Sequence, residues 1–369
     1  MDNLKTLADQ APMPGLTREI QLGNISSGLT FSPSGAGSVG NTIVDLPRWV
    51  NLYKSLLIQA IGTHTGTAAG AVAGTFAQYD FFNNLSFNIN GGQKFWNMRG
   101  GALWALNLFL GLYRNSETPQ GDTLIASDAA ASHPYTLSLV MPFNDRSFDP
   151  RLFNLLNAYQ NAGTTSFQLN LNMGNNANFA TSDPTATMTV TSIKLSASLL
   201  DYSVVPDVGG EAFVRNTVWP RFEPNLQQSL SLNGVTNQNF DLTRGLRYRG
   251  VMLFDLDSTN KVANAANITT VSVVRDTTDF ILQGMNVAQY MRDIGDRYQT
   301  NVFGGVLNFV YFLDFLSEFH QKQMIDTIRF AQWQVQATSG TSGRTLDILE
   351  LRHFVPPLPP SKQAGSVRR

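Results

Sequence analysis

Apolar and polar residues alternate in short stretches along this chain. In "SFQLNLNM", Phe167, Leu169 and Leu171 would share one face of a strand, while amide side chains would occupy the other face. The stretch "AQWQVQA" repeats the pattern, with Trp333 and Val335 on the apolar face. Strands with one apolar and one amide-bearing face are typical of an antiparallel sandwich.

Comparable stretches, separated by Gly, Asn, Pro and Ser, predict strands over most of the chain. These predicted strands are Thr17–Leu22, Leu56–Ile61, Leu85–Ile89, Leu103–Leu110, Tyr135–Met141, Ser166–Asn172, Met188–Ser198, Val251–Asp255, Thr269–Val274, Val306–Leu313, Ile328–Gln336 and Leu346–Phe354. Helical patterns are sparse, and the best candidates are Pro150–Ala162, which has Asp149 as its N-cap, and Asn286–Tyr298. The patterns therefore predict an all-β chain.

The chain also aligns with itself at an offset of 196 residues, starting from Val44 against Phe240. Leu57 aligns with Leu253 at this offset, and the two amide-faced strands correspond at a shorter one. We therefore predict two copies of one sandwich. The alternative explanation is hydrophobic alternation alone, which would align any two β-sandwiches.

The repeat and the local composition predict five segments. Residues 1–15 form an N-terminal arm, 16–205 the first sandwich, 206–212 a linker, 213–355 the second sandwich, and 356–369 a Pro-rich basic tail. Such arms can reach a neighbouring subunit, an anionic membrane or a genome, and simple terminal disorder is the alternative.

The composition of the chain argues against several classes of protein. With 26 Lys and Arg against 27 Asp and Glu, the chain has a formal charge of −1, and charged residues make up 14 %, against roughly 25 % in ordinary domains. Such a chain is a poor nucleic-acid binder and lacks the surface charge that keeps monomers apart. The absence of cysteine excludes disulfides and thiolate sites. We expect no signal peptide, and the longest apolar stretches are too short to span a membrane.

No motif predicts catalysis, a cofactor or a metal centre. The four histidines, His64, His133, His320 and His353, lack zinc-binding spacing. The stretch "GAGSVG" matches a dinucleotide-binding pattern, but no helical pattern follows it. Asp255 and Asp257 could weakly hold Ca²⁺, although a solvated turn at a strand end is favoured.

The repeated Asp-Leu-x-Arg motif is the most specific feature of the sequence. It occurs as Asp45 with Arg48 and as Asp241 with Arg244. Each charge pair could clamp its sandwich to a neighbouring molecule through bidentate contacts. We favour the simpler interpretation, a local pair that fixes the turn into the next strand.

The order and spacing of the segments resemble a known family over nearly the whole chain. An N-terminal arm precedes "LTREIQLGN", "SLLIQAIGTHT" and "FFNNLSFNINGGQKFW"; "MPFNDRSFDPRLFNLLNA", "SFQLNLNM" and "MTVTSIKLSAS" follow, and then the plan repeats. This order is similar to that of double jelly-roll major capsid proteins of tailless icosahedral viruses, especially tectivirus-like, membrane-containing bacteriophages.

The resemblance implies two tandem eight-stranded antiparallel jelly-roll sandwiches with short flanking helices and long loops. It implies a non-enzymatic capsid subunit that forms pseudo-hexameric homotrimers tiling an icosahedral shell. Implied partners are neighbouring trimers, penton and minor capsid proteins, and an internal lipid membrane that the terminal arms could reach, with no sequence-specific nucleic acid. The implied location is the virion, after assembly in the host cytoplasm.

Two other classes of protein remain as alternatives. A two-sandwich glycan amidase would need carboxylates that converge between the domains. A carbohydrate-binding spike module would expose aromatic platforms, whereas Trp96, Trp104, Trp219 and Trp333 mostly lie within strand patterns.

Overall fold

The computed structural model describes residues 17–26, 29–31, 40–46, 51–65, 75–89, 93–110, 118–119, 121–124, 132–143, 156–157, 166–173, 187–201, 221–233, 237–256, 267–276, 279–286, 289, 310–315, 324–340 and 342–354. The strands are β1 (Thr17–Ser26), β2 (Leu29–Phe31), β3 (Gly40–Asp45), β4 (Asn51–Thr65), β5 (Phe82–Ile89), β6 (Gln93–Met98), β7 (Ser132–Pro142), β8 (Leu156–Asn157), β9 (Phe167–Met173), β10 (Thr187–Asp201), β11 (Arg221–Asn233), β12 (Asn237–Asp241), β13 (Arg247–Leu256), β14 (Ile268–Arg275), β15 (Asp279–Asn286), β16 (Val310–Asp314), β17 (Ile325–Asp326), β18 (Trp333–Ser339) and β19 (Ser342–Phe354). The helices are α1 (Thr75–Tyr79) and α2 (Gly100–Phe109).

The first half of the chain forms two facing sheets. One has the order β1-β10-β4-β7, with the short strands β2 and β8 attached, and the other has the order β3-β9-β5-β6. When the eight principal strands of this half are numbered along the chain, the orders are 1-8-3-6 and 2-7-4-5. This antiparallel arrangement is a jelly roll.

The second half repeats the same order. Its sheets are β11-β19-β13-β16, to which β17 attaches, and β12-β18-β14-β15. The prediction of an all-β chain with two tandem eight-stranded jelly rolls is therefore confirmed. The predicted segment boundaries stay a prediction, because the arm, the linker and the tail lie outside the described residues.

Pairing register shows which residues of the two jelly rolls correspond. Asp45 pairs with Gln168, and Asp241 pairs with Gln334, so the offset of 196 is correct at this strand. In the third strand of each jelly roll, a β-bulge follows a tyrosine, Tyr53 or Tyr248, in the pairing with the last strand.

On both sides of these bulges the correspondence differs by one residue from the sequence alignment. Leu57 of β4 corresponds to Met252 of β13, and the alignment of Leu57 with Leu253 is therefore wrong. Further along, β5 corresponds to β14: their burial patterns are identical, and Phe82 and Ile268 each precede a bulge in the pairing with the seventh strand. Loop lengths between the strands, which a constant offset ignores, account for both differences.

Most predicted strands are present, but one is wrong. The prediction of a strand at Leu103–Leu110 is corrected to the helix α2, all ten residues of which are buried. A helix enclosed on every side carries no periodic polar face, so its sequence looks like that of a buried strand. The strand predicted from Ile328 begins only at Trp333, after a turn.

Both predicted helices fall mainly outside the described residues. Within Pro150–Ala162, the described residues Leu156 and Asn157 form the strand β8 rather than a helix. Within Asn286–Tyr298, Asn286 ends β15 and Gln289 is the other described residue. Among the described residues, no helix is long and apolar enough to cross a bilayer.

Candidate functional site at the junction of the two jelly rolls

The two jelly rolls are joined edge to edge. Strand β6 of the first lies parallel to β11 of the second, paired at Asn97 and Asn225, so that one nine-stranded sheet runs through both. Next to this pairing, the Trp96 indole packs edge-on against the Phe222 ring, and its Nε1–H donates to the Phe222 carbonyl oxygen over 3.2 Å. These contacts fix the lateral position of one jelly roll against the other.

Helices α1 and α2 pack closely beside this edge because two glycines begin α2. A Cβ atom on Gly100 would lie 2.0 Å from the carbonyl oxygen of Tyr79, and one on Gly101 would lie 2.8 Å from the Phe76 ring. The Tyr79 ring then stacks on Trp104 at a centroid distance of 5.9 Å. The glycines are therefore needed for close approach, not for an unusual backbone conformation.

The helix pair also makes apolar contacts with the second jelly roll. Phe109 of α2 contacts Phe312 of β16 at a centroid distance of 4.5 Å. Phe76 of α1 contacts Phe254 of β13 at 5.7 Å. Because all four rings are buried, this contact has the character of a continuous core rather than of a hinge.

A buried ion cluster spans the same junction. Arg99, which precedes α2, pairs with Asp80 after α1 and, over 3.3 Å, with Asp347 on β19 of the second jelly roll. The Asp80 carboxylate also accepts a hydrogen bond of 2.9 Å from the N–H of Gly101, at the start of α2. One guanidinium thus connects a helix start to the neighbouring jelly roll.

Burial and charge pairing act against each other in this cluster. Burial raises the pKa of the Asp80 carboxyl, although Arg99 and the N–H of Gly101 favour its charged form. Burial opposes the charge on Arg99, but the Asp80 and Asp347 carboxylates raise the pKa of the guanidinium. The cluster holds two carboxylates to one guanidinium, so removing Arg99 would leave both buried carboxylates without this cation, and Arg99 is the member that joins the two jelly rolls.

The cluster does bring two carboxylates together between the domains, as a glycan amidase would require. Asp80 and Asp347 are each 1 % exposed and both pair with Arg99, so this arrangement offers no access to a substrate. Trp96, Trp104 and Trp333 are likewise buried instead of forming exposed platforms. Trp219 lies outside the described residues.

The repeated motif occupies equivalent places in the two jelly rolls. Asp45 accepts a hydrogen bond of 2.8 Å from the Gln168 amide, and Asp241 accepts one of 2.6 Å from the Gln334 amide. Arg244 donates to the carbonyl oxygens of Phe330 and Ala331 in the turn before β18. Arg48 lies outside the described residues.

Two further groups of candidate residues take unexpected positions. His64 and His133, distant in sequence, lie directly opposite each other on β4 and β7. Asp255 lies buried inside the second jelly roll, where it accepts a hydrogen bond of 2.6 Å from Arg344, so the prediction of a solvated turn is wrong for this residue. Asp257 lies outside the described residues, and among those described no group of three His, Asp or Glu could hold a metal.

Sequence reasoning missed Arg99 and its partners because no motif joins residues so far apart in the chain. The one local signal was the pair Gly100–Gly101 before an apolar run, which is unusual within a strand. That signal indicates close backbone approach, but it does not identify Asp347 as a partner.

No family model and no curated protein matches the chain. Solved structures match it at full length. The chain is similar to the major capsid protein of Sulfolobus turreted icosahedral virus, with a TM-score of 0.68 and 13 % identity over 93 % of this chain and 98 % of that one. It is similar to the major capsid protein P2 of bacteriophage PM2, with a TM-score of 0.51 and 10 % identity over 91 % and 97 %. It is also similar to the Faustovirus major capsid protein, with a TM-score of 0.52 and 9 % identity over 92 % and 90 %. The fold is the one these capsid proteins share.

Proposed function

We propose that this chain is a major capsid protein, a double jelly-roll subunit that forms pseudo-hexameric homotrimers and tiles an icosahedral virion shell. The observation that carries the proposal is the full-length match of both jelly rolls, in one chain, to viral major capsid proteins. The packed junction between the two jelly rolls supports this proposal, since two rigidly joined sandwiches can serve as two of the six similar units of a trimer.

The proposed partners follow from this role. Copies of the chain would contact one another within and between trimers, and penton and minor capsid proteins would complete the shell. The terminal arms, 1–15 and 356–369, would reach neighbouring subunits or an internal lipid membrane beneath the shell. The virion would be the location, with assembly in the host cytoplasm, and no sequence-specific nucleic acid is needed. A shell subunit of this kind needs no enzymatic activity.

The native mass of the purified protein tests the proposal. Light scattering should give about 120 kDa for three chains of 40.5 kDa, and negative-stain images of the same peak should show a six-cornered outline. A monomer that resists association at high concentration would contradict the proposal. Hydrolysis of a glycopeptide, or saturable sugar binding, would support the amidase or the spike module instead.

A further inference from the structure

The junction within the chain uses two particular edges. The edge of β6, the fifth principal strand of the first jelly roll, meets the edge of β11, the first principal strand of the second. Because the two jelly rolls have the same strand order, each jelly roll has both a first-strand edge and a fifth-strand edge, and the chain therefore has a second edge of each kind. The remaining fifth strand is β15, and the remaining first strand is β1.

Both remaining edges end their sheets in the part of the chain that the structure describes. Strand β15 ends the sheet order β12-β18-β14-β15, and β1 ends the order β1-β10-β4-β7. An edge strand presents unpaired N–H and C=O groups and accepts an added strand of suitable direction. The structure pairs the first set of edges within the chain and leaves the second set without a strand partner among the described residues.

We infer that contact between copies of this chain repeats the junction within it, with β15 of one copy beside β1 of the next in the parallel direction. The two edges differ, so the contact is heterologous, and three copies could close it into a ring. This inference rests on the proposed trimer and adds the strands that hold it together. The ring would then contain six related junctions, alternately within and between chains.

Register identifies the residues that would meet. Asn225 pairs with Glu350, and the corresponding pair in the first jelly roll is Ile20 with Ala197. Asn97 pairs with Ser86, and Ser86 corresponds to Ser272 in the second jelly roll. Ser272 lies opposite Gln283 and Gly284, because its two neighbours pair with Met285 and Leu282. The counterpart of the bridge between Asn97 and Asn225 is thus Ile20 of one copy with Gln283 of another.

The residues beside this bridge differ from those within the chain. In the proposed contact between copies, Leu282 corresponds to Trp96, and Thr17 corresponds to Phe222. A contact with smaller side chains buries less apolar area, so we expect the contact between copies to be weaker than the one within the chain. This order of strength suits a chain that folds first and associates afterwards.

Disulfide trapping tests the inference in a chain that has no native cysteine. Neighbouring strands lie about 4.8 Å apart, which is within the range that a disulfide can bridge. The double variant Ile20→Cys/Gln283→Cys should, on mild oxidation, give disulfide-linked trimers on a denaturing gel. A mixture of the two single variants should give linked dimers, while each single variant alone should give none.

Two matched pairs control the geometry. Asn97→Cys/Asn225→Cys should form a disulfide within the monomer, because these residues pair in the chain. Ile20→Cys/Gln238→Cys, which uses the opposite edge of the β15 sheet, should form none. Trimers by light scattering without any Ile20–Gln283 link would overturn this inference and leave the proposed function intact. Linked dimers from one single variant alone would also overturn it, and a monomeric wild type would overturn both.

Discussion

The sheet that contains the first, third, sixth and eighth strands occurs in both jelly rolls, but its outward face differs between them. In the first jelly roll the outward residues are mixed in polarity and at least partly exposed: Leu57, Gln59, Ile61, Lys194, Ser196 and Ser198. In the second, the corresponding residues are mostly apolar and all buried: Met252, Phe254, Leu256, Asp347, Leu349 and Leu351. Within a single chain, the same strand order therefore serves a sheet with one partly exposed face and a sheet buried on both faces.

The cause of the difference is the helix pair α1 and α2. These helices, which belong to the first jelly roll, cover the outward face of the second through Phe76 and Phe109, and Arg99, which precedes α2, pairs with Asp347 on that face. A sheet covered on both faces requires nearly continuous apolar strands, whereas a half-exposed sheet alternates. A charge on the covered face is tolerated only where it has a partner, as Asp347 has in Arg99.

Exchanging charge at one pair of corresponding positions should have the largest effect. Asp347→Lys would place a second buried cation beside Arg99, and we expect a loss of more than about 5 kcal/mol, enough to prevent folding. The corresponding change in the first jelly roll, Lys194→Asp, affects an exposed side chain and should alter stability by about 0.5 kcal/mol or less.

Soluble yield and the midpoint of thermal unfolding of the two variants measure this contrast. Similar behaviour of both variants would show that the two outward faces do not differ in burial. An additional Arg99→Asp in the Asp347→Lys background should not restore stability, because it would place a carboxylate directly beside Asp80.

Exchanging polarity at the next pair should have a smaller effect. Phe254→Gln removes a ring that packs on Phe76 and buries an amide in its place, so we expect a loss of about 4 kcal/mol. Gln59→Phe changes the corresponding residue of the first jelly roll, which donates a hydrogen bond of 3.1 Å to Ser138. We expect that variant to lose about 1 kcal/mol or less.

Urea unfolding of the two variants against the wild type provides the measurement. Phe254→Leu serves as a control, because it keeps an apolar side chain and should recover much of the loss. Equal losses for Phe254→Gln and Gln59→Phe would contradict the difference in burial.

A change at the start of α2 should have an intermediate effect. A methyl group on Gly100 would collide with the backbone of Tyr79, so Gly100→Ala should push α2 away from α1 and cost about 1–3 kcal/mol. The shift should also weaken the cover over β13, which would increase hydrogen exchange there but not in β4. Protection that falls equally in both strands would indicate a general loss of packing instead.

The sequence predicted strands with alternating burial and also the almost fully buried strands β13 and β16, but it took a fully buried helix for a strand. Strands β9 and β18 show strict alternation of buried and half-buried residues, and both were predicted. Helix α2 was missed because all its residues are buried, its N-cap Arg99 makes no side-chain capping bond and its first turn has no acidic residue.

The candidate site was less predictable than the fold. Asp80, Arg99 and Asp347 meet only because the two jelly rolls pack together, and no spacing within the sequence encodes that distance. The repeat was detectable at Asp45 and Asp241, which precede the connections that differ in length. In the next strands, β4 and β13, the one-residue shift exchanges inward and outward positions, so alignment by residue type alone paired the exposed Leu57 with the buried Leu253.

The last prediction concerns a side-chain hydrogen bond that occurs at the repeated motif in both jelly rolls. Asp45→Ala and Asp241→Ala each remove an exposed hydrogen bond to a glutamine on the seventh strand, and each should cost about 0.5–1 kcal/mol. The adjacent backbone bonds, from the N–H of Leu46 to Phe167 and from that of Leu242 to Trp333, are both 2.8 Å long and should persist in both variants. Thermal unfolding should therefore show equal losses of stability for the two single variants, and the loss in the double variant should be their sum. A loss at Asp241 several times larger than at Asp45 would mean that cover by the helices also strengthens the far sheet of the second jelly roll.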